Sequence, residues 1–252
     1  MAPVYRITTA LLLFFPASFI SGAQIARVMY DREITFSGYE WQIKSSISRT
    51  GPGPNFFSQS EQNVTVDQEG RLHLRITRED GRWLCAEVVS RNNFGYGRYE
   101  FILGTNPATL NENIVLGLFT WNPALRPHHN EIDIEFSSWG GSQHENGQYV
   151  IHTCTDKVEK KKFTMPSRPR YTTHVIIWKP GRLVFESYRG RRTWSWRKIA
   201  SWTITGSQVP VPVAEQLRMN LWLTGVSPGS ENLPGETVIR IDSVSYEKSD
   251  IE

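Results

Sequence analysis

The sequence predicts an all-β protein, a β-sandwich or jelly roll. Two observations favour this fold class. Short segments that alternate polar and apolar residues, or that are rich in β-branched and aromatic residues, recur along the chain with turn residues between them. In addition, no long segment shows the 3.6-residue apolar period of an amphipathic helix. Closely spaced short strands of this kind are typical of sandwiches and jelly rolls.

Nine segments carry the strand pattern. In chain order they are residues 71–77, 97–103, 114–121, 131–136, 148–153, 172–178, 183–187, 217–223 and 237–246. Gly, Pro or Asp turn signals lie at residues 51–54, 79–81, 179–181, 189–190 and 234–235. The chain has no internal repeat and no linker between domains, and its 252 residues suffice for one sizeable core. We therefore expect a single domain over residues 24–252.

The first 23 residues have the pattern of a secretory signal peptide. Arg6 precedes an apolar run over residues 10–20, and Ser21, Gly22 and Ala23 form a small-residue cleavage site. The run is too short to span a bilayer, and Pro16 interrupts it. We expect a secreted protein, extracellular or periplasmic, with no membrane association after cleavage.

The charge balance argues against a nucleic-acid partner. With 28 basic and 25 acidic residues the formal charge is +3, and loss of Arg6 with the signal peptide lowers it to +2. Basic residues cluster within residues 157–162 and 189–198. These clusters are interpreted either as solvated loops or as a surface that attracts an anionic polysaccharide.

The two cysteines, Cys85 and Cys154, lack the spacing of a metal site, so we expect no catalytic or structural metal from them. Export permits a disulfide, but the sequence leaves open whether these two residues pair.

The most informative segment is residues 130–136, where acids and apolar residues alternate. Because a strand has a side-chain period of two, Glu131, Asp133 and Glu135 point to one face, and the apolar residues between them point to the other. Three aligned carboxylates repel one another, and their pKa values are pushed apart. Glycoside hydrolysis uses such a set, because it needs one ionised carboxylate and one carboxylic acid that keeps its proton.

Two other interpretations of the acidic strand stay open at this point. Clustered carboxylates also bind hard cations such as Ca²⁺, and an acidic face also occurs on solvated edge strands. Moreover, the spacing of Glu131 and Glu135 does not by itself distinguish a retaining from an inverting pair of acids. His128 and His129 precede the strand, but two adjacent loop histidines are weak signals of a metal site.

Aromatic residues supply a second signal. The chain has nine Trp residues, and aromatic rings stack on the apolar faces of sugars as well as filling cores. The tryptophans considered as sugar-binding candidates are Trp121, Trp139, Trp178, Trp194, Trp196, Trp202 and Trp222.

Taken together, these residues resemble glycoside hydrolase family 16, the family of lichenases, laminarinases, agarases and carrageenases. Residues 131–135 match the family signature E-x-D-x-E. The likeness extends from about residue 70 to residue 246, through the segments CAE (85–87), FGYGRYE (94–100), LFTW (118–121), WKPG (178–181) and MNLW (219–222).

The resemblance implies a jelly roll of two antiparallel sheets (concanavalin A-like) with a concave substrate cleft, and a retaining, endo-acting mechanism. It implies that Glu131 is the nucleophile, Asp133 its assisting acid and Glu135 the general acid/base. Four further residues fall where the family contacts sugar: Glu87, Trp121, Asn220 and Trp222. Glu87 is also interpretable as a salt-bridged strand residue, and Asn220 as a residue that caps a turn.

The resemblance implies that no cofactor is required, although some members hold a structural calcium ion near positions matching Gly70 and Asp242. The sequence also departs from lichenases. Residues 55–58 lack the cysteine that would pair at position 85, Val89 replaces a polar sugar-binding residue, and Asn130 stands where an acid is usual. These departures affect the specificity for glucan rather than the chemistry.

The function expected is therefore a secreted glycosidase, a hydrolase of O-glycosyl bonds that acts as a monomer on a β-linked polysaccharide. A β-1,3-1,4- or β-1,3-glucan is the first expectation, and a galactan, including a sulfated one, is the second. The alternatives are a transglycosylase with the same residues, a carbohydrate-binding or glucan-recognition module without activity, and a calcium-dependent structural domain.

Overall fold

The computed structural model describes residues 27–125, 129–139, 141, 144–153, 157–224 and 235–249. The predicted signal peptide lies outside these residues. Within the described ranges, no helix has the length and apolar character needed to cross a membrane.

The regular structure of these ranges consists of two short 3₁₀ turns and 16 strands. The turns are Pro107–Thr109 and Ser195–Arg197. The strands are β1 (Val28–Phe36), β2 (Tyr39–Ser46), β3 (Phe56–Phe57), β4 (Val64–Val66), β5 (Leu72–Glu79), β6 (Arg82–Asn93), β7 (Gly97–Leu103), β8 (Ile114–Trp121), β9 (Ile132–Phe136), β10 (Gly147–His152), β11 (Val158–Phe163), β12 (Thr172–Lys179), β13 (Arg182–Arg189), β14 (Lys198–Thr205), β15 (Gln216–Leu223) and β16 (Thr237–Lys248).

These strands form two antiparallel sheets that are joined at the β5–β6 hairpin. One, which we call the cleft sheet, has the order β1-β2-β6-β15-β8-β9-β10-β11. The other, the back sheet, has the order β4-β5-β16-β7-β12-β13-β14. Strand β3 adds a short parallel pairing to β6. The predicted all-β class and its two antiparallel sheets are confirmed, and all nine predicted strands are present with ends shifted by no more than two residues.

The core lies between the sheets and is tied together by aromatic side chains. Tyr149 of β10 stacks on Phe185 of β13 with ring centroids 5.0 Å apart, and its hydroxyl donates to Ser187 Oγ at 2.7 Å. Trp178 is fully buried and donates its indole N–H to the Pro210 carbonyl at 2.9 Å. Trp178 is therefore a core residue, and its interpretation as a sugar-binding candidate was wrong.

A buried histidine also lies in this core. His174 of β12 has no exposed surface, and its two ring nitrogens lie 2.9 Å from Ser187 Oγ and 2.9 Å from Thr172 Oγ1. Burial lowers its pKa from 6.5 to about 3. The folded protein therefore holds His174 neutral, with hydroxyl partners instead of charged ones.

Cys85 is a free thiol buried in β6, and burial raises its pKa to about 12. The register of the parallel pairing places Phe57 next to Cys85, so an aromatic ring occupies the place expected of a second cysteine. Cys154 lies outside the described residues.

Candidate active site

The three acids of the predicted catalytic strand face away from the core, on the outer surface of the cleft sheet. Ile132, Ile134 and Phe136 of β9 are fully buried between the sheets. The carbonyl of Glu131 accepts a hydrogen bond from the backbone N–H of His152 at 3.0 Å, so the pairing with β10 extends to Glu131. Alternation then places Glu131, Asp133 and Glu135 together on the opposite face.

A tight turn fixes where this strand begins. His129 and Asn130 both adopt left-handed backbone conformations, with φ of 54° and 51°. The Asn130 side chain donates to the Val211 carbonyl at 2.7 Å, and its backbone carbonyl accepts from Thr120 Oγ1 at 2.6 Å. Asn tolerates this conformation better than most residues. The turn thus sets the register that places Glu131 on the outer face.

Strand β10 supplies a partner for each glutamate. Gln148 lies opposite Glu135 in the ladder, and its amide donates to Glu135 Oε2 at 2.6 Å. His152 lies beside Glu131, with 3.2 Å between its Nε2 and Glu131 Oε2. The residue opposite Asp133 is Val150, which offers no side-chain polar group. The two glutamates are therefore held from the side by neutral or titratable donors rather than by permanent cations.

Burial and mutual repulsion raise the pKa values of all three acids. Burial, followed by the charges of both glutamates, raises the pKa of Asp133 well above its ordinary value. Burial and the charge of Glu135 raise the pKa of Glu131 from 4.5 to about 8, while a hydrogen bond from Asp133 and the charge of Arg218 act in the opposite direction. Asp133 therefore keeps its proton and donates it to Glu131, which favours the ionised form of Glu131.

Glu135 lies in a different electrostatic setting. Burial raises its pKa, and the Gln148 hydrogen bond and the more remote charge of Lys160 only partly oppose this effect. No proton is donated to it by a neighbouring acid. The two glutamates thus differ in their neighbours: the Asp133 carboxyl group donates to Glu131 and favours its ionised form, whereas an uncharged amide donates to Glu135.

The acids lie in a cleft of about 620 Å³ on the cleft sheet. Register sets parallel rows of side chains across its floor. One row is Lys44, Glu87, Asn220, Gly117, Glu135 and Gln148, and the next is Gln42, Val89, Arg218, Phe119, Asp133 and Val150. The cleft thus runs across strands β1, β2, β6, β15, β8 and β9, and side chains from all six line it.

A buried ionic triad lies in the floor of the cleft, on strands β2, β6 and β15. Glu87 is 1% exposed, and its two carboxylate oxygens accept from Lys44 Nζ at 2.8 Å and from Arg218 at 3.0 Å. Arg218 also hydrogen-bonds Tyr30, while its Nε is buried without a partner. The triad carries one net positive charge, on the same floor as the three acids.

The family of the chain follows from comparison with known proteins. The model of the family "Glycosyl hydrolases family 16" matches residues 53–231, which include the acidic strand, Glu87 and Arg218 of the triad, and most of the cleft. The chain belongs to glycosyl hydrolases family 16. It is therefore a glycosidase, an enzyme that hydrolyses O-glycosyl bonds.

Relatives of known name support this membership along almost the whole chain. A protein of Paenibacillus polymyxa named "Beta-glucanase" is 28% identical over 248 residues, covering 95% of this chain and 94% of its own. A "Beta-glucanase" of Paenibacillus macerans is 28% identical over 246 residues with the same coverage. The solved structure of a Bacillus licheniformis β-glucanase superposes with a TM-score of 0.65 at 23% identity, covering 89% of this chain and 98% of its own.

Within this family 16 chain, the predicted substrate-binding residues all line the cleft, but in different states. Glu87 is held by two cations, in agreement with its interpretation as a salt-bridged strand residue. Trp121 stacks on the His129 imidazole with 3.9 Å between ring centroids, which covers one face of the indole. Trp222 lies partly exposed in the cleft wall. Their roles in binding sugar remain predictions.

Asn220 is 2% exposed and its Oδ1 has no partner, beside a glycine that leaves room for it. A Cβ at Gly117 would lie 2.5 Å from Asn220 Oδ1, so only glycine fits between Asn220 and Glu135 in that row. This position is in the interior of β15, so Asn220 does not cap a turn.

The sequence did not single out four residues that the fold brings to the acids or to Glu87. They are Lys44, Gln148, His152 and Arg218. Each lies on a strand other than β9, and only the order of the strands in the sheet shows that they are neighbours. The sequence offered one signal for Arg218: a long, positively charged side chain within the largely apolar strand segment at residues 217–223.

The predicted calcium site is not supported by the charges around it. The two carboxylate oxygens of Asp242 accept hydrogen bonds from Arg240, at 2.7 Å, and from Arg191. Two guanidinium groups therefore already surround the carboxylate, and the site does not fit a further cation. Among the described residues, the one cluster with the spacing of a metal site is Glu131, Asp133 and His152, which belongs to the acid trio.

Proposed function

We propose that this protein is a secreted, endo-acting glycosidase that hydrolyses a β-glucan with retention at the anomeric carbon. The observation that carries the proposal is the position of Glu131 and Glu135 on one face of one strand, in the floor of a cleft. The names of the two Paenibacillus relatives support β-glucan as the substrate class. The apolar run before residue 24 supports secretion.

In the first step, Glu131 attacks the anomeric carbon while Glu135 donates its proton to the leaving glycosidic oxygen. The C–O bond to the leaving sugar breaks as the bond to the Glu131 carboxylate forms, so the product is a covalent glycosyl-enzyme and a free chain end. Asp133 assists by hydrogen-bonding to Glu131, which stabilises its ionised form before the attack.

In the second step, Glu135 is ionised and removes a proton from water, which attacks the anomeric carbon and releases Glu131. Two displacements at the same carbon restore the original β configuration. The Gln148 amide that donates to Glu135 Oε2 stabilises this ionised state without adding a charge that would prevent reprotonation.

The shape of the cleft supports action within a polymer chain. Six strands line it, and aromatic side chains lie on three of them: Tyr30 on β1, Phe119 and Trp121 on β8, and Trp222 on β15. Rings at intervals along a cleft stack on successive sugars.

The test is the release of reducing ends from lichenan, laminarin, agarose and carrageenan by the protein without its first 23 residues. We expect turnover of a β-glucan. We expect Glu131→Gln to abolish it and Glu135→Gln to reduce it by about 10²–10⁴, the usual contribution of a general acid. Turnover by Glu131→Gln equal to that of the unaltered protein would contradict the proposal.

The same assay separates the alternatives. A transglycosylase with these residues would give new, longer oligosaccharides from short ones instead of reducing ends. A glucan-recognition module would bind one of the polymers with no turnover. If only agarose or carrageenan were cleaved, the substrate would be a galactan and not a β-glucan.

A further inference from the structure

The turn between β13 and β14 carries an unusual exposed surface. Residues 189–198 contain five basic side chains and no acidic one. All nine tryptophans of the chain lie in the described residues, and only Trp194 and Trp196 are exposed, at 47% and 71%. The remaining seven are buried or partly buried. Two large rings in water next to a cluster of cations mark a binding surface more often than a solvated turn.

The two rings and two arginines form one unit, which we call the Trp–Arg patch: Arg192, Trp194, Trp196 and Arg197. The ring centroids are 5.5 Å apart and the planes are tilted by 33°. The Arg197 guanidinium lies 5.2 Å from one centroid and 4.4 Å from the other, and that of Arg192 lies 5.5 Å from Trp194. The cations thus pack against the rings and help to hold them in place.

Glycine at position 190 permits this packing. Gly190 has a φ of 82°, and a Cβ there would lie 2.6 Å from Arg197 Nη1. Arg197 therefore folds back over the start of the turn, beneath the rings. The packing of the Trp–Arg patch therefore depends on glycine at position 190. With any other residue there, the Arg197 side chain would have to move.

The charges of the patch are not neutralised by the protein. The neighbouring cations are paired, Lys198 with Glu186 and Arg191 with Asp242. Within the described part of the chain, neither Arg192 nor Arg197 has a carboxylate within 4.0 Å. Their guanidinium N–H groups therefore remain donors for hydroxyl or acidic groups of a ligand.

We infer that the Trp–Arg patch is a second polysaccharide-binding site, separate from the cleft. None of its residues lines the cleft, which is on the other sheet. A sugar ring has an apolar face that stacks on an indole and hydroxyls that accept from guanidinium. Two tilted rings form too small an apolar area for a lipid surface, where an extended amphipathic face is needed, and two unpaired arginines are few for a nucleic acid, whose binding rests on neutralising many phosphates.

Such a site adds to the proposed function, on which its benefit rests. A polymer bound at the patch stays near the cleft, so its effective concentration at the acids rises without any new contact there. Short oligosaccharides occupy only the cleft, so the patch does not raise their effective concentration at the acids. The patch therefore affects polymers selectively.

The test is co-sedimentation with insoluble β-glucan, agarose and an acidic galactan, in the Glu131→Gln background that prevents turnover. We expect Trp194→Ala/Trp196→Ala to weaken binding to at least one polymer by about tenfold, and Arg192→Gln/Arg197→Gln to weaken the acidic polymer more than the neutral ones. Arg182→Gln, an exposed arginine at the opposite end of β13, is the matched control and should bind normally. In the active protein, the Trp double variant should keep its rate on short oligosaccharides.

Two results would overturn the inference: polymer binding that is absent in the parent protein or unchanged in the Trp double variant, or binding by the patch to phosphatidylglycerol vesicles instead of polysaccharide. If binding depends on the patch but no polymer is ever cleaved, the second site stands and the proposed function fails.

Discussion

At the scale of single residues, the site depends on how neighbours divide charge among three acids. Asp133 lies between two glutamates and is the most buried, so it is the natural holder of a proton. Glu131 receives a hydrogen bond from Asp133 and the field of Arg218, and Glu135 receives only an amide and a remote lysine. Identical side chains on one strand thus acquire different roles from their surroundings.

Arg218 is the cation that we expect to adjust the nucleophile. In Arg218→Gln the charge that lowers the pKa of Glu131 is lost, so the acidic limb of kcat/KM should move to higher pH by about one unit. Arg218→Lys should return the acidic limb to the pH of the parent protein, because lysine keeps the positive charge. The measurement is kcat/KM against pH on a soluble aryl oligosaccharide, with Arg182→Gln as the control.

A purely structural role for Arg218 would give a different result. The variant would then lose stability and rate at every pH, and the acidic limb would stay where it is in the parent protein. Glu87 retains Lys44 as a partner in the variant, so the fold is not left with an unpaired buried carboxylate.

At the scale of elements, the acidic strand was the easiest part to predict and its partners were the hardest. Alternation over five residues defines both faces of β9, because the apolar face must be buried. Strand β11 was not predicted because its three consecutive lysines interrupt any alternation. Strand β14 was also missed, although its residues 201–205 do alternate polar and apolar side chains. Strand β6 was missed for another reason: its six consecutive buried residues, 85–90, mix apolar residues with Glu87 and Ser90 and show no regular alternation.

The partners of the acids could not be predicted because they depend on which strands are neighbours. Gln148 meets Glu135 only because β10 pairs with β9, and Arg218 reaches the floor only because β15 lies between β6 and β8. Val89, read from the sequence as a lost polar residue, is paired directly with Arg218. A polar side chain on the neighbouring strand thus lies beside the position where the sequence showed the loss of one.

The turn before β9 is an element whose strain can be measured. Asn130 has a φ of 51° and a side-chain hydrogen bond to Val211. Asn130→Ala loses the hydrogen bond and places a less tolerant residue in this conformation, so we expect the free energy of unfolding to fall by about 1–3 kcal/mol. Asn130→Gly loses only the hydrogen bond, so its free energy of unfolding should fall by less than that of Asn130→Ala. Urea denaturation compares the two variants, and an equal or larger loss for Asn130→Gly would rule out backbone strain at this turn.

At the scale of the whole molecule, two groups of buried titratable residues have opposite effects on how stability depends on pH. Glu131 and Asp133 have raised pKa values, so the folded state holds protons that the unfolded state releases above about pH 4.5. Their stabilisation is present at low pH and is lost as the pH rises toward 8. His174 has a lowered pKa, so its contribution is present above pH 6.5 and is lost as the pH falls toward 3.

We therefore expect Glu131→Gln/Asp133→Asn to change the pH dependence of stability. In the parent protein the free energy of unfolding should decline between about pH 6.5 and 8, with a slope of up to about 1.4 kcal/mol per pH unit for each proton involved. The double variant keeps Glu135, whose pKa is also raised by burial, so its decline should be shallower than that of the parent, while the gain from His174 up to pH 6.5 should persist. Chemical denaturation across this range is the measurement, with Glu79→Gln in the exposed β5–β6 hairpin as the control. Parallel profiles for the parent and the double variant would contradict the charge assignment.

The central claim is that Glu131 forms the bond to the sugar and Glu135 moves the proton. The most direct measurement is rescue by azide of Glu131→Ala and Glu135→Ala, with an activated β-glycoside as substrate and the anomeric configuration of the product determined by NMR. Azide takes the place of the missing nucleophile in the first variant and of water in the second. We predict an α-glycosyl azide from Glu131→Ala and a β-glycosyl azide from Glu135→Ala. The reverse pairing of products and variants would contradict the account.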